Sequence, residues 1–349
     1  MKKFSFQYMR WGIGAFALLL ILVCRYIPAW GEWYARTVYP LISSVLSAMV
    51  SWIPISMEEL VVVVAVALLV GYPFYARRKN VRWKTIFRRE LEVLLGIYCW
   101  FYLGWGMNYY RRDFFSRSDI KQVEYDSVRF HRFIDEYIGQ LNKAFTTASM
   151  SVPPNLEDEV KRIYAQVPGR FGLTKPKSWQ HPKLVLFNQL YSWVGVLGYM
   201  GPFFAESQLN RELLPVQYPF TYAHEYAHLL GVSSEAEANF WAYQVCIRSN
   251  RKEVCYSGYF GLLSYVLVNA RSIFDDETYQ DCLEKIRPEV LEQLENKQDY
   301  WSERYSPVVG KIQDMIYSLY LKGNKIPSGQ KNYAEVIGML MALPENWWK

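Results

Sequence analysis

The sequence predicts a mostly helical α+β protein in which three N-terminal transmembrane helices precede a larger domain with a small sheet. Three observations lead to this fold class. Apolar runs fill much of the first 110 residues, short β-rich segments lie between residues 169 and 210, and nearly everything after about residue 217 has a helical pattern. We therefore divide the chain into a membrane anchor, residues 1–110, and a second domain, residues 111–349, which is long enough to bury its own core.

The three apolar runs each have close to the roughly 17–25 residues that cross a bilayer. The predicted spans cover about residues 11–30, 60–75 and 91–107. The first could be a cleaved signal peptide, but no small-residue cleavage site follows it, so an uncleaved anchor is expected. Segment 41–53 has apolar residues on one side and serines on the other, which predicts an amphipathic helix at the membrane interface.

The charge distribution predicts the orientation of these spans. Residues 1–110 carry 12 Lys/Arg and 5 Asp/Glu, whereas residues 111–349 carry 27 and 28, so the positive charge belongs to the apolar part. Basic residues precede the first span and fill loop 77–89, whereas loop 31–59 contains one. The positive-inside rule predicts a cytoplasmic (inner) membrane protein with a cytoplasmic N-terminus and an extracytoplasmic second domain. Without a basic stripe or a recognised motif, nucleic acid is not an expected partner.

The second domain is predicted to contain a few short strands followed by helices. Its three cysteines are expected to be buried thiols, with a Cys255–Cys282 bridge as the alternative. Strands are predicted within 184–187 and 203–209, and helices at roughly 126–145, 154–167, 217–230, 235–249, 256–271, 276–304, 308–321 and 331–342.

The most informative segment is Thr221–Tyr243, which contains His224-Glu225-x-x-His228. This spacing puts two of the four histidines of the chain one helical turn apart on one helix face. Two such imidazoles can share one Zn²⁺, and the glutamate between them lies beside the metal. Zn²⁺ is therefore the expected cofactor. His131 and His181 are expected to be ordinary surface or core histidines.

A third zinc ligand is expected in the chain that follows, because zinc hydrolases usually hold the metal with three protein ligands. Gly231 is a natural end for the motif helix, and Ser234-Glu235-Ala236-Glu237 matches the capping box that opens a helix. In that box Glu237 reaches back to the cap, which leaves Glu235 free to face the metal. We favour Glu235 as the ligand, with Glu237 as the alternative. Asn239, one turn beyond Glu235, is expected to hydrogen-bond a ligand histidine.

The motif and the segment Glu235-Ala236-Glu237-Ala238-Asn239 together resemble the glutamate-type zinc peptidases, in which the third ligand opens a later helix. Over most of its length the chain resembles an uncharacterised bacterial family of membrane-anchored zinc metallopeptidases, a domain of unknown function. The segments PFFAESQLN and YLKGN are part of that likeness. The resemblance implies a zincin-like second domain, in which His224, His228 and Glu235 bind zinc and Glu225 is the general base. Only six residues separate His228 from Glu235, which requires a tight turn.

These features predict a membrane-anchored zinc-dependent metallopeptidase that hydrolyses peptide bonds outside the cytoplasm, with Glu225 as the general base on a zinc-bound water. A peptide or protein substrate and the lipid bilayer are the expected partners. Phe203–Leu209 is the candidate edge strand for an extended substrate, and Tyr333 is one candidate oxyanion donor. The alternatives are a catalytically inactive zinc-binding membrane scaffold and a zinc amidase that acts on cell-wall peptides. Substrate specificity and oligomeric state do not follow from the sequence.

Overall fold

The computed structural model describes residues 2–123, 127–147, 151–324, 335–344 and 347–348. Within them the chain forms sixteen α-helices and one three-stranded sheet, so the mostly helical α+β class is confirmed. The helices are α1 (Lys2–Tyr26), α2 (Pro28–Trp33), α3 (Tyr39–Val50), α4 (Met57–Arg78), α5 (Trp83–Gly104), α6 (Phe114–Ser118), α7 (Ser127–Ala144), α8 (Leu156–Ala165), α9 (Asn188–Trp193), α10 (Tyr218–Leu229), α11 (Glu235–Cys246), α12 (Lys252–Ile273), α13 (Asp276–Glu284), α14 (Pro288–Ser302), α15 (Pro307–Gly323) and α16 (Val336–Met341), and the strands are β1 (Pro182–Leu184), β2 (Gly198–Gly201) and β3 (Glu206–Leu209).

Two helices in the described part of the chain, not the predicted three, are long and apolar enough to cross a membrane. They are Tyr8–Tyr26 within α1 and Met57–Arg78, and only 17% and 11% of their most apolar stretches are buried. The prediction of a third span at 91–107 is wrong in this respect. That run lies in α5, whose charged first half leaves too short an apolar stretch; the charged residues are Lys84, Arg88, Arg89, Glu90 and Glu92.

Helix α5 nevertheless lies beside α1 and runs in the same direction. Arg10 on α1 pairs with Glu92 at 3.3 Å, and Gly14, one turn further, faces Leu95. Arg25, in the last turn of α1, donates to the hydroxyl of Tyr110 just beyond α5 at 3.1 Å. Helix α4 also packs against α5 and is joined to it by a short turn, so that it runs in the opposite direction. The three helices therefore form one bundle.

Helix α3 is amphipathic as predicted, and its serine side is the side that faces the protein. Ser43 and Ser47 are buried, and the hydroxyl of Ser47 accepts a hydrogen bond from Nε1 of Trp179 at 3.2 Å. Leu46 and Val50 are buried beside these serines, whereas Leu41, Val45 and Met49 on α3, and Trp52 just after it, are each at least 59% exposed. An exposed apolar stripe of this kind is typical of a helix at a membrane interface.

The first turn of α4 is fixed to the second domain by two buried carboxylates. Glu58 accepts a hydrogen bond from the backbone N–H of Phe203 at 3.0 Å. Glu59 accepts two, from the N–H groups of Leu186 at 2.6 Å and Phe187 at 3.2 Å. These backbone groups have no strand partner here, so the carboxylates satisfy donors that would otherwise be buried without one. The beginning of α4 is thus held against the sheet.

The sheet has the order β1-β3-β2, which corrects the prediction that Phe203–Leu209 is an edge strand. Strand β3 is central: it pairs parallel with β1 and antiparallel with β2, and all four of its residues are buried. The two edge strands are β1 and β2. Strand order was not predictable from the pattern, because β1 and β2 are themselves short and weakly patterned.

The core of the second domain lies between α10, α11 and α12, with α7, α8 and α16 packed around them. The helix predicted at 276–304 is divided into α13 and α14, because Pro288 begins α14 and cannot continue a preceding helix. The last predicted helix is α16, and residues 331–334 of that prediction lie outside the described residues. All five cysteines are free thiols, so the alternative of a Cys255–Cys282 bridge is wrong.

The contact of α4 with the sheet can be tested by replacing Glu59 with alanine. The substitution leaves two backbone N–H groups unsatisfied, so we expect it to lower the free energy of unfolding by about 1–3 kcal/mol. Thermal and denaturant unfolding of the full chain in detergent measures this. Glu303→Ala, at an exposed carboxylate, is the control. Equal stability of the two variants would contradict the assigned contact.

Candidate metal centre

Helix α10 carries the motif through the middle of the core. Pro219 lies in its first turn, where a missing N–H costs nothing, and every residue from Pro219 to Leu229 is buried. A helix buried on all sides must place polar side chains where they find partners. His224 and His228 do so by facing the first turn of α11.

The turn between α10 and α11 brings the third carboxylate back over the two histidines. Gly231 has φ +95°, a left-handed conformation that glycine adopts without strain. Ser234 caps α11 by accepting a hydrogen bond from the N–H of Glu237 at 3.3 Å, as the capping-box prediction requires. Glu235 is therefore the first residue of α11, and its side chain lies over α10.

The structure brings His224, His228 and Glu235 together in one buried cluster. Their candidate ligand atoms all lie within 4.8 Å of one another. Oε2 of Glu235 is 3.1 Å from Nε2 of His224 and 3.3 Å from Nε2 of His228, and the two Nε2 atoms are 3.2 Å apart. Two imidazoles and one carboxylate are a donor set that Zn²⁺ takes in catalytic sites. The cluster can hold a metal ion.

The hydrogen bonds behind the cluster orient both imidazoles toward a shared cation. Nδ1 of His224 lies 2.8 Å from Oδ1 of Asn239, the predicted contact, and Nδ1 of His228 lies 2.7 Å from the carbonyl of Val232. Since both oxygens only accept, each Nδ1 carries a proton and each neutral ring presents the lone pair of Nε2. Three acceptors then converge on one point. The donor set fits a metal ion because three acceptors without a cation between them repel one another.

The charges of the cluster depend on one another. Burial lowers the pKa of His228, but the Glu235 carboxylate outweighs burial and brings that pKa to about 9. Burial raises the pKa of Glu235, but the two histidines hold it well below its usual range. A buried carboxylate thus attracts positive charge to this point, as a proton on an imidazole or as a metal ion.

Glu237, the alternative third ligand, is occupied elsewhere. Its carboxylate forms a buried ion pair with Arg117 and accepts a hydrogen bond from Nε1 of Trp241 at 2.9 Å. Glu237 therefore does not reach back to the cap of α11 with its side chain, and it points away from the histidines. Its role is to neutralise a buried guanidinium, which leaves Glu235 as the carboxylate of the cluster.

Glu225 lies beside the cluster and is buried, and its Oε2 has no hydrogen-bond partner among the described residues. Burial raises the pKa of Glu225 to about 7, with the two histidines lowering it and Glu235 raising it. Gly198 on β2 lies against this side chain: a Cβ there would be 2.8 Å from its Cγ. A poised, unpaired carboxylate held next to a metal site is the arrangement expected of a general base.

A cleft of about 690 Å³ opens onto these residues. Its walls come from β2 and the preceding loop, from α12, from α14 and α15, and from the end of α5. Lys297 and Asp314 add one charge of each sign to the lining, while aromatic rings supply much of the apolar surface. This volume is within the range typical of pockets that bind small ligands.

Several residues that shape the site were not predicted. The hydroxyl of Tyr317 on α15 donates to Oε1 of Glu235 at 2.6 Å, and Nε1 of Trp105 donates to the carbonyl of His228 at 3.1 Å. With 28 tyrosines and 13 tryptophans, composition could not single them out. Tyr333, the candidate oxyanion donor, lies outside the described residues.

The other two histidines are exposed surface residues. His131 pairs with Asp135 at 3.1 Å, and His181 pairs with Glu157 at 2.7 Å. Both pairs are far in sequence from the cluster and neither completes a group of three candidate ligands within the described residues. The expectation that they are ordinary histidines is confirmed.

A family model described as protein of unknown function (DUF3810) matches residues 34–341. The chain belongs to this family. No curated protein and no solved structure matches the chain. The DUF3810 match begins before α3 and ends with α16. It therefore includes the candidate metal centre and the segment that joins α5 to the second domain.

The assignment of the third ligand is tested by two glutamate substitutions. Glu235→Ala removes one of three converging donors, so we expect zinc affinity to fall by at least about 100-fold, more than the roughly 10–100-fold effect of an outer partner. Glu237→Gln keeps an acceptor for Trp241 but removes the charge that neutralises Arg117, so we expect lower stability and one zinc per folded chain. Metal analysis and competition with a chelating dye measure both. Loss of zinc only in Glu237→Gln would reverse the assignment.

Proposed function

We propose that this DUF3810 protein is a membrane-anchored zinc-dependent metallopeptidase that acts outside the cytoplasm. The observation that carries the proposal is the unpaired, buried carboxylate of Glu225, held in a cleft beside two histidines and a glutamate that can bind one metal ion. A structural zinc site needs four closed ligands and no free base. Here three donors converge and a fourth position faces the cleft.

The chemistry follows from the positions of these groups. When bound, Zn²⁺ would supply a Lewis acid that lowers the pKa of a coordinated water and polarises the scissile carbonyl. Glu225 would take the proton of the attacking water on its unpaired Oε2 and return it to the leaving amine. Tyr317 holds Glu235 in place by a hydrogen bond to its Oε1, and Asn239 holds His224 in place by a hydrogen bond to its Nδ1. The donor groups are thus preorganised before any substrate arrives.

Strand β2 is the element best placed to align a substrate. It is the one of the two edge strands that lines the cleft, and Gly198 brings its backbone close to Glu225. An extended peptide can pair with such an edge through main-chain hydrogen bonds, which depend little on sequence. We propose β2 in place of Phe203–Leu209 as the strand that binds the substrate backbone.

The proposed side of the membrane rests on where the helices meet the second domain. The C-terminus of α1 and the N-terminus of α4 both contact it, through Arg25 and through Glu58 and Glu59. The basic residues of the loop 77–89 lie at the other end of α4, about 33 Å away for 22 residues. The positive-inside rule assigns that end to the cytoplasm, and therefore the second domain to the opposite side. This argument does not depend on how apolar α5 is.

The catalytic role of Glu225 is tested by Glu225→Gln in the full chain. We expect zinc content to be unchanged and the rate of peptide hydrolysis to fall by about 10²–10⁴-fold, because the general base is lost. Glu295→Gln, at an exposed glutamate, is the control. An unchanged rate would remove Glu225 from the mechanism. Bound zinc with no hydrolysis of a peptide library would favour the inactive scaffold, and cleavage confined to cell-wall peptides would favour the amidase.

The orientation is tested with reporters fused to the full membrane anchor. A phosphatase that works only outside the cytoplasm should be active when fused after residue 120 and inactive when fused at residue 80, in the basic loop. A cytoplasmic reporter should give the opposite pattern. Cytoplasmic activity of the fusion after residue 120 would contradict the proposed side.

A further inference from the structure

Helix α15 exposes an apolar stripe that no part of the described chain covers. The stripe follows helical spacing, and each of its side chains is at least 54% exposed: Val308, Ile312, Met315, Ile316 and Leu319. Lys311 and Lys322 are exposed at its two ends, and the one acidic residue of the helix, Asp314, faces the cleft instead. A contiguous apolar stripe flanked by lysines is typical of a helix that lies on a lipid surface.

The C-terminal end of α15 lies where α1 and α5 meet the second domain. Arg25, in the last turn of α1, donates to the carbonyl of Gly323 at 3.0 Å. Tyr102, in the last turn of α5, donates to Oδ1 of Asn324 at 2.8 Å, and the rings of Phe101 and Tyr320 are 6.1 Å apart. This end of α15 therefore lies level with the C-termini of α1 and α5.

The N-terminal end of α15 is tied to the same level from the other side. The N–H of Ser306 donates to the carbonyl of Trp193, the last residue of α9, at 2.8 Å. The residue before α9, Phe187, donates to the Glu59 carboxylate in the first turn of α4. Helix α15, about 25 Å long, thus extends from the region of the N-terminus of α4 to the C-termini of α1 and α5. It runs along the plane that contains these three helix ends.

We propose that α15 lies in the interface of the bilayer with its apolar stripe on lipid, and that the cleft behind it receives polypeptide segments carried at the surface of the same membrane. The substrate class rests on the proposed function; the position of α15 does not. The opposite face of α15 lines the cleft with Asp314, Tyr317 and Tyr320. Lipid and metal centre are thus separated by the thickness of one helix.

The bilayer is the occupant that the surrounding surface favours. Phe187, just before α9, and Leu190 within α9 are also exposed, and the last residue of α9 is hydrogen-bonded to the residue that precedes α15. The exposed apolar residues of α3 are joined to the N-terminus of α4 by a short connection. A bilayer that surrounds α1 and α4 covers all of these surfaces at once. A contact with a second copy through α15 would leave the stripe of α3 uncovered. The flanking lysines also favour anionic lipid headgroups.

The position of α15 is tested by labelling the full chain in nanodiscs of phosphatidylethanolamine and phosphatidylglycerol. A fluorophore is attached to Ile316→Cys in a Cys255→Ser background, since the other four thiols are buried. Lipids that carry a quencher near the headgroup should quench this label as strongly as one at Val63→Cys on α4. They should not quench one at Val128→Cys on α7, which packs against α12 and α16. A label at 316 that behaves like the label at 128, or that reports contact with a second copy, overturns the proposal.

The substrate class is tested with one peptide sequence presented free or attached to a lipid in the nanodisc. We expect attachment to raise the hydrolysis rate by at least about tenfold, because the substrate is concentrated at the membrane surface. The triple variant Ile312→Ser, Ile316→Ser, Leu319→Ser should lose this preference, whereas Val128→Ser should keep it. Equal rates for both peptides overturn the substrate class. If neither peptide is cleaved, the proposed function fails, while the quenching result still decides where α15 lies.

Discussion

The metal centre depends on the tight turn from Leu230 to Ser234, because that turn sets the position of Glu235 over the two histidines. The turn is buried, so its backbone groups need partners. The carbonyl of Gly231 accepts from Arg111 at 3.0 Å, and the hydroxyl of Ser233 donates to the carbonyl of Asn108 at 3.0 Å. Just before it, the carbonyl of Leu229 accepts from the hydroxyl of Tyr39 at 2.8 Å. A turn this short is held by its surroundings as much as by its own sequence.

These surroundings belong to the segments that follow α1 and α5. Arg111 is buried and pairs with Glu32 on α2, through two contacts of 3.2 Å. A fragment that begins at residue 111 would lack Glu32, Tyr39 and Asn108. The site therefore includes segments that follow α1 and α5, on both sides of the boundary at residue 110 that the sequence predicts. Breaking a buried pair of this kind leaves an uncompensated charge, which is strongly destabilising.

The segment after α5 also forms part of the cleft. Trp105 follows α5 directly, lines the cleft and contacts His228, so the end of α5 is part of the wall of the site. Across the cleft, α15 reaches Glu235 through Tyr317. The candidate metal ligands are thus supported from the end of α5 on one side and from α15 on the other.

The sequence by itself determined the helical class, the pair of histidines with Glu225 between them, the cap at Ser234 and the contact of Asn239, because each depends on spacing within one or two helical turns. It also determined the amphipathic nature of α3 through its period. The tertiary structure alone decided that Arg117 takes Glu237, that β3 is central, that α5 packs along α1 despite its charged first half, and that Tyr39, Trp105, Arg111 and Tyr317 shape the site. These outcomes depend on contacts between residues far apart in sequence, and local periodicity carries no information about which distant side chain will fill a given position.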